Sequence, residues 1–244
     1  MYTPVHLCHK INPKNKNNMK KTSISMVFVT AASVVLFQSF TSNTVSSKNT
    51  VAAVEVADVK ATNFQNMQDA FKGETTASAK YAAYSKKAEE EGFHEIAMLF
   101  KAASASEKIH ATNHKAVLGE GGQKVPVIAP EFTVKSTKEN LKDAITGEAY
   151  EVSTMYPEFM TNANTAGNQF ALVSLNYAYK TEQKHKVFYE KALAALESNT
   201  VKSLPAVYFV CPTCGNTYDN AAPTRCGISM TGGEKFIKID KLNS

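Results

Sequence analysis

The sequence predicts a mainly α protein: a four-helix bundle with one long crossover, followed by a small β unit that depends on a metal or another staple. Three observations carry that prediction. Apolar residues recur at helical spacing through four long stretches. These stretches form two hairpins separated by a proline-containing connection, the connectivity of a bundle with a single crossover. After Leu204-Pro205 the composition shifts to cysteine, glycine and β-type residues over about 35 residues, too few to hold a fold without a staple.

The first helix reads over residues 63–91, a stretch without Pro in which Phe64, Met67, Phe71, Tyr81, Tyr84 and Ala88 repeat at helical spacing, and Gly92 breaks it. The second runs over 93–118 and ends at Gly119-Glu120-Gly121-Gly122. A loop with Pro126 and Pro130 leads to Ser136-Thr137-x-Glu139, a helix start. The third helix reads over 141–163 despite Gly147 and Pro157, and a short turn at 164–167 leads to the fourth, over 168–198. Val207 to Val210 and Phe236, Ile237 and Ile239 are the strand-type residues of the tail. The expected domains are therefore a leader at 1–47, the bundle at 60–200 and the tail at 206–240.

The leader follows from charge and length. Residues 1–47 hold five of the 27 basic residues and no acid, which leaves the remainder balanced at 22 basic against 22 acidic. A neutral body argues against a general nucleic-acid binder, which needs a basic surface to displace counterions. Met19-Lys20-Lys21 opens a basic stretch, and Ile24 to Phe37 then runs without a charge. That run is short of the ~20 residues that span a bilayer but fits the apolar region of a secretory signal. An uncleaved anchor is the alternative. Start at Met19, export and an extracytoplasmic, bacterial periplasmic location are expected, with membrane contact only through the leader. Cys8 belongs to the leader, so the mature chain keeps Cys211, Cys214 and Cys226. An odd count in an oxidising compartment points to metal ligation or a free thiol rather than a disulfide framework.

Each helix carries acids in its middle: Glu74, Glu107-Lys-Ile-His110, Glu148-Ala-Tyr-Glu151 and Glu182-Gln-Lys-His185. Spacing i, i+3 puts both members of a pair on one helix face. One Glu-x-x-His is weak, since charged helices make it by chance. Two copies with partner acids on the other two helices fit the donor set of a dinuclear carboxylate site. Carboxylates and imidazoles suit Fe or Mn, whereas structural Zn usually recruits thiolates.

The stretches Phe71-Lys-Gly-Glu74, Glu91-Gly-Phe-His-Glu-Ile-Ala97, Glu139 to Glu148 and Met155-Tyr-Pro-Glu-Phe159, with the cysteine tail, resemble rubrerythrin over about 60–240. The resemblance implies a ferritin-like di-iron bundle followed by a rubredoxin-like domain. It implies Glu74, Glu107, Glu148, Glu151, Glu182 and His185 as iron ligands, and His110 as the residue that exchanges with Glu151 when one iron moves on reduction. Glu151 is the carboxylate that ferritins lack, and it favours peroxide chemistry over storage. Tyr81 and Tyr156 match tyrosines that support the ligands; ordinary core aromatics are the alternative. His94 and His114 match no ligand position and are expected at the surface.

The implied activity is two-electron reduction of hydrogen peroxide to water. Electrons come from a donor protein through the tail, across a head-to-tail homodimer in which one chain's tail serves the other's di-iron site. Two other readings are open: ferritin-type iron oxidation and storage, against which the tail counts, and a metal-stabilised scaffold without activity. The tail departs from the family. Cys211-Pro-Thr-Cys214 supplies one thiolate pair, but the second reads Cys226-Gly-Ile-Ser229, with a hydroxyl in the fourth position and Met230 beside it as a weak donor. Cys211, Cys214 and Cys226 are expected to hold a mononuclear iron completed by Ser229, water or another group. A metal-free tail with Cys211 and Cys214 oxidised is the alternative.

Overall fold

The structure, a computed structural model, describes residues 44–242, with side chains from 55 onward. The expected start at Met19 and the apolar run behind it lie outside the described residues. Helix α1 spans Thr44–Glu90, α2 His94–Glu120, α3 Thr137–Tyr150, α4 Tyr156–Thr165 and α5 Gln169–Glu197. The tail holds three short strands, β1 Tyr208–Val210, β2 Thr217–Asp219 and β3 Ile237–Ile239. They form an antiparallel sheet in the order β2-β1-β3. Among the described residues no helix is long and apolar enough to cross a membrane.

Two helix boundaries differ from expectation. Helix α1 begins at Thr44, well before residue 63, because 44–62 contain no proline or glycine and no signal to stop a helix propagating. The third rod is broken into α3, a π-helical segment Glu151–Met155, and α4. Pro157 explains the break: without an N–H it cannot donate to Ser153, and the wider turn lets Tyr156 N–H reach back to the Glu151 carbonyl. The rod starts at a complete capping box, Ser136 with Glu139. Between α1 and α2, Gly92 takes φ 83°, a left-handed turn that costs a residue with a Cβ but not glycine.

The bundle has two apolar layers with a charged layer between them. One is built on Tyr81, Tyr84, Phe100, Leu141 and Tyr189. The other is built on Met67, Phe71, Leu118, Tyr156 and Leu175. Glu74 falls between the layers on α1, Glu107 and His110 on α2, Glu148 on α3, and Glu182 and His185 on α5, and all are buried. The fold thus holds six ionisable side chains at mid-bundle, where an unpaired charge costs several kcal/mol.

The tail lies against α2 and α5 of its own chain, where the resemblance implied a partner's tail. Ser106 Oγ donates to the Gly215 carbonyl at 2.7 Å and Lys184 Nζ to the Thr217 carbonyl at 2.6 Å. Gly215, at φ 77°, is required twice: a Cβ there would also collide with His110 Nε2. Chain length permits the return. At ~1.5 Å per residue about 18 Å of helix separate His185 from the end of α5, and the linker 198–207 can span up to roughly 33 Å.

Candidate metal centre

The two Glu-x-x-His pairs meet across α2 and α5. Glu107 Oε2 and Glu182 Oε1 lie 2.9 and 2.8 Å from His110 Nδ1. Glu107 Oε1 and Glu182 Oε2 lie 3.0 and 2.7 Å from His185 Nδ1. Each carboxylate therefore offers one oxygen to each imidazole, so the site has two halves sharing Glu107 and Glu182. Glu74 joins the His110 half and Glu148 the His185 half, and in each half the four donors lie within 4.8 Å of one another.

The outer nitrogens of both rings decide what these halves can hold. His110 Nε2 is 3.1 Å from the Cys214 carbonyl, which only accepts, so Nε2 carries the proton. His185 Nε2 is 2.9 Å from Thr217 Oγ1, whose own hydroxyl donates to the Gly215 carbonyl, so this Nε2 also donates. In neutral rings both Nδ1 atoms are then lone pairs, aimed at carboxylate oxygens. All four oxygens of Glu107 and Glu182 and both Nδ1 atoms are buried without a hydrogen bond. Acceptors converging on acceptors call for cations between them, and oxygen and imidazole donors in two shared groups fit a pair of metal ions.

The charges respond as that arrangement requires. Burial raises the Glu74 carboxyl to about 8, and the Glu107 charge adds to the effect. Burial also pushes Glu148 and Glu151 well up, reinforced by Glu182 at the first and Glu74 at the second. Glu107 moves down to about 2, because both imidazoles, His185 foremost, outweigh the cost of burial. At His110 and His185 the surrounding carboxylates likewise overcome burial and raise the pKa well above the usual value.

Glu151 belongs to neither half. It opens the π segment and lines a surface cavity of ≈ 320 Å³ with Tyr81, Lys72, Thr76 and Lys80. Tyr81 donates to Glu148 Oε1 at 2.7 Å, and Tyr156 donates to Glu74 Oε1. His94 is exposed beside Glu89, as expected. His114 is not at the surface: it is fully buried, with Nδ1 2.8 Å from Ser174 Oγ and Nε2 3.5 Å from Tyr156 Oη. The signal was its spacing, since four residues after His110 keeps it on the same helix face. Burial, with the His110 charge behind it, holds its pKa down to about 3.

In the tail, Cys211, Cys214 and Cys226 are buried and unbridged, and their sulfurs form a third cluster within 4.8 Å. A hydrogen bond from Cys214 brings the Cys211 thiol down to about 4. The tail also reaches the centre directly through the Cys214 carbonyl on His110.

A charged layer inside four helices, with shared carboxylates and a cysteine module docked beside it, defines a ferritin-like dinuclear carboxylate protein. The chain belongs to the rubrerythrin family, whose model, described as Rubrerythrin, matches residues 65–193. It is 34% identical over 195 residues to nigerythrin of Nitratidesulfovibrio vulgaris, covering 78% of this chain and 94% of that one. It is 32% identical over 171 residues to rubrerythrin-2 of Clostridium acetobutylicum, covering 70% and 92%. A structure of nigerythrin in its fully reduced, all-ferrous state superposes with TM-score 0.65 at 31% identity, over 72% of this chain and 86% of that one. A Desulfovibrio desulfuricans bacterioferritin, at 18% identity and TM-score 0.55, shares the fold.

Proposed function

We propose that this chain is a non-haem di-iron peroxidase of the rubrerythrin type, reducing hydrogen peroxide to two waters with two electrons and two protons in defence against oxidative stress. Iron is the metal: the donor set suits it, and the all-ferrous nigerythrin structure supports the choice. Glu107 and Glu182, common to both halves, would hold both ions, with Glu74 and His110 completing one position and Glu148 and His185 the other. When bound, a ferrous pair would supply the two electrons that the reduction needs.

The observation that carries the peroxidase reading is Glu151. It is a seventh ionisable group beside a six-residue donor set, placed on an irregular turn at the wall of a cavity open to small solutes. Its carboxyl, on the wall of that cavity, is the group that would hand a proton to the departing oxygen of the peroxide. Tyr81 and Tyr156 hold Glu148 and Glu74 in orientation through their hydroxyl protons. Storage chemistry has no use for Glu151 or for a docked cysteine module. Electrons from a donor protein enter at the tail and leave through the Cys214 carbonyl and the His110 ring, a route within one chain. A homodimer would add a second, equivalent unit.

Peroxide consumption by the iron-loaded chain with a reductant tests the reading. Turnover beyond the iron present is expected. Retention of hundreds of irons per assembly without peroxide turnover would replace it with the storage reading.

A further inference from the structure

We propose that Ser229 is itself the fourth ligand of the tail site, giving a mononuclear centre of three thiolates and one serine oxygen. This deepens the reading of the tail as a metal-binding module and commits the position that the sequence leaves open.

Backbone symmetry is the first argument. Two loops face each other, one at 211–216 and one at 226–231, and they make the same hydrogen bonds. Gly215 N–H donates to the Cys211 carbonyl at 2.9 Å, and Met230 N–H donates to the Cys226 carbonyl at 3.0 Å. Cys211 N–H donates to the Asn216 carbonyl at 3.0 Å, and Cys226 N–H donates to the Thr231 carbonyl at 2.8 Å. The residue after the second ligand position is left-handed in both loops, Gly215 at φ 77° and Met230 at φ 61°. Methionine, unlike glycine, is strained in that conformation. The second loop has serine where the first has its second cysteine, and methionine where the first has Gly215, yet it keeps the shape that aims two side chains at one point. Ser229 occupies in it the place that Cys214 holds in the first.

Side-chain geometry is the second. Cys214 Sγ and Cys226 Sγ are 3.4 Å apart, and Cys211 Sγ and Ser229 Oγ 3.3 Å. These are two opposite edges of a tetrahedron, slightly inside the roughly 3.8 Å that ~2.3 Å metal–sulfur bonds give for a sulfur–sulfur edge and the roughly 3.6 Å expected for a sulfur–oxygen edge with the oxygen at ~2.1 Å. The hydroxyl is also turned the right way. Thr231 Oγ1 donates to Thr213 Oγ1 at 2.7 Å, so the 2.8 Å contact between Ser229 and Thr231 is a bond in which Ser229 donates. Its proton points away from the sulfurs and its lone pairs toward them. The oxygen thus binds as a neutral hydroxyl, so the four-donor set carries one negative charge fewer than four thiolates would.

Cobalt(II) titration of the full-length, metal-stripped, reduced chain tests this, because sulfur-to-cobalt charge-transfer bands arise only at the thiolates. The wild type should take up one cobalt with such bands and a tetrahedral ligand-field spectrum. Ser229→Ala should bind this ion at least about tenfold more weakly, with a spectrum shifted from tetrahedral toward higher coordination, while Ser229→Cys should gain charge-transfer intensity. Thr231→Val, which removes the acceptor of the serine proton together with the bond to Thr213 and leaves all four donors in place, should weaken binding by about tenfold. Ser229→Ala with wild-type affinity and spectrum would overturn the assignment, as would a wild-type chain with no thiolate band. Neither result touches the carboxylate pair, whose cobalt uptake is counted separately as ions without charge transfer.

Discussion

Replacing His114 by Leu should change the acid sensitivity of the metal-free protein in a defined way. His114 is fully buried and its pKa sits near 3, against about 6.5 in an unfolded chain. Between those values the unfolded state binds a proton that the folded state refuses, so stability from this residue is complete above pH ~6.5 and drains away as pH falls toward 3. At 1.36 kcal/mol per pH unit the loss at pH 4.5 is about 3 kcal/mol, of the order of a third of a domain's stability. Leucine removes the titration and adds a constant penalty of ~1–3 kcal/mol, because buried Ser174 Oγ loses its partner. Urea unfolding of both metal-free proteins at pH 7.0, 5.5 and 4.5 separates the two effects. The variant should be less stable at pH 7.0, and its deficit should shrink by about 3 kcal/mol by pH 4.5. Other acid-sensitive groups are common to both proteins and cancel in the difference. A deficit that stays constant with pH would refute the reasoning.

Glu182→Ala should empty both metal positions, since Glu182 serves both halves; two retained irons by elemental analysis would contradict its bridging place. Glu151→Ala should keep both irons and slow peroxide turnover by about 10²-fold or more, as expected when a positioned acid is lost; turnover equal to wild type would remove it from the reaction. Tyr156→Phe should leave the metals in place but loosen Glu74, lowering metal affinity about tenfold in a competition titration with a chelator. If Met19 opens a cleaved export signal, the mature N-terminus falls within about ten residues of Ser47; N-terminal sequencing that finds Met1 or Met19 on the mature protein would count against export.

Much of the fold was legible because it rests on local signals. Ser136 and Glu139 announced the start of α3, Gly92 the first hairpin, and the i, i+3 spacing of Glu107 with His110 and of Glu182 with His185 the metal layer. What escaped depends on contacts between distant segments. The break at 151–155 needed the Pro157 register read as a bond lost at Ser153 rather than as a tolerated kink. His114 matches no ligand position and is expected at the surface, but Ser174 and Tyr156, from two other helices, supply the partners that let it be buried. The tail's place on its own bundle could not be read from any window of sequence, because the linker length allows both a return and a reach to a neighbour.

That docking has a consequence for the metal layer itself. An imidazole binds metal through the nitrogen that is free of a proton, and which one is free depends on what the other nitrogen touches. At His110 and His185 the outer nitrogens meet the Cys214 carbonyl and Thr217 Oγ1, both in the tail and three residues apart. The tail therefore sets the tautomer of both histidine ligands at once, and turns both Nδ1 lone pairs toward Glu107 and Glu182. Removing it would leave the six donor residues present while letting each ring choose its proton position and orientation. In the proposed function the segment that delivers electrons is thus also the one that orients both imidazoles, and the Cys214 carbonyl on His110 serves both tasks.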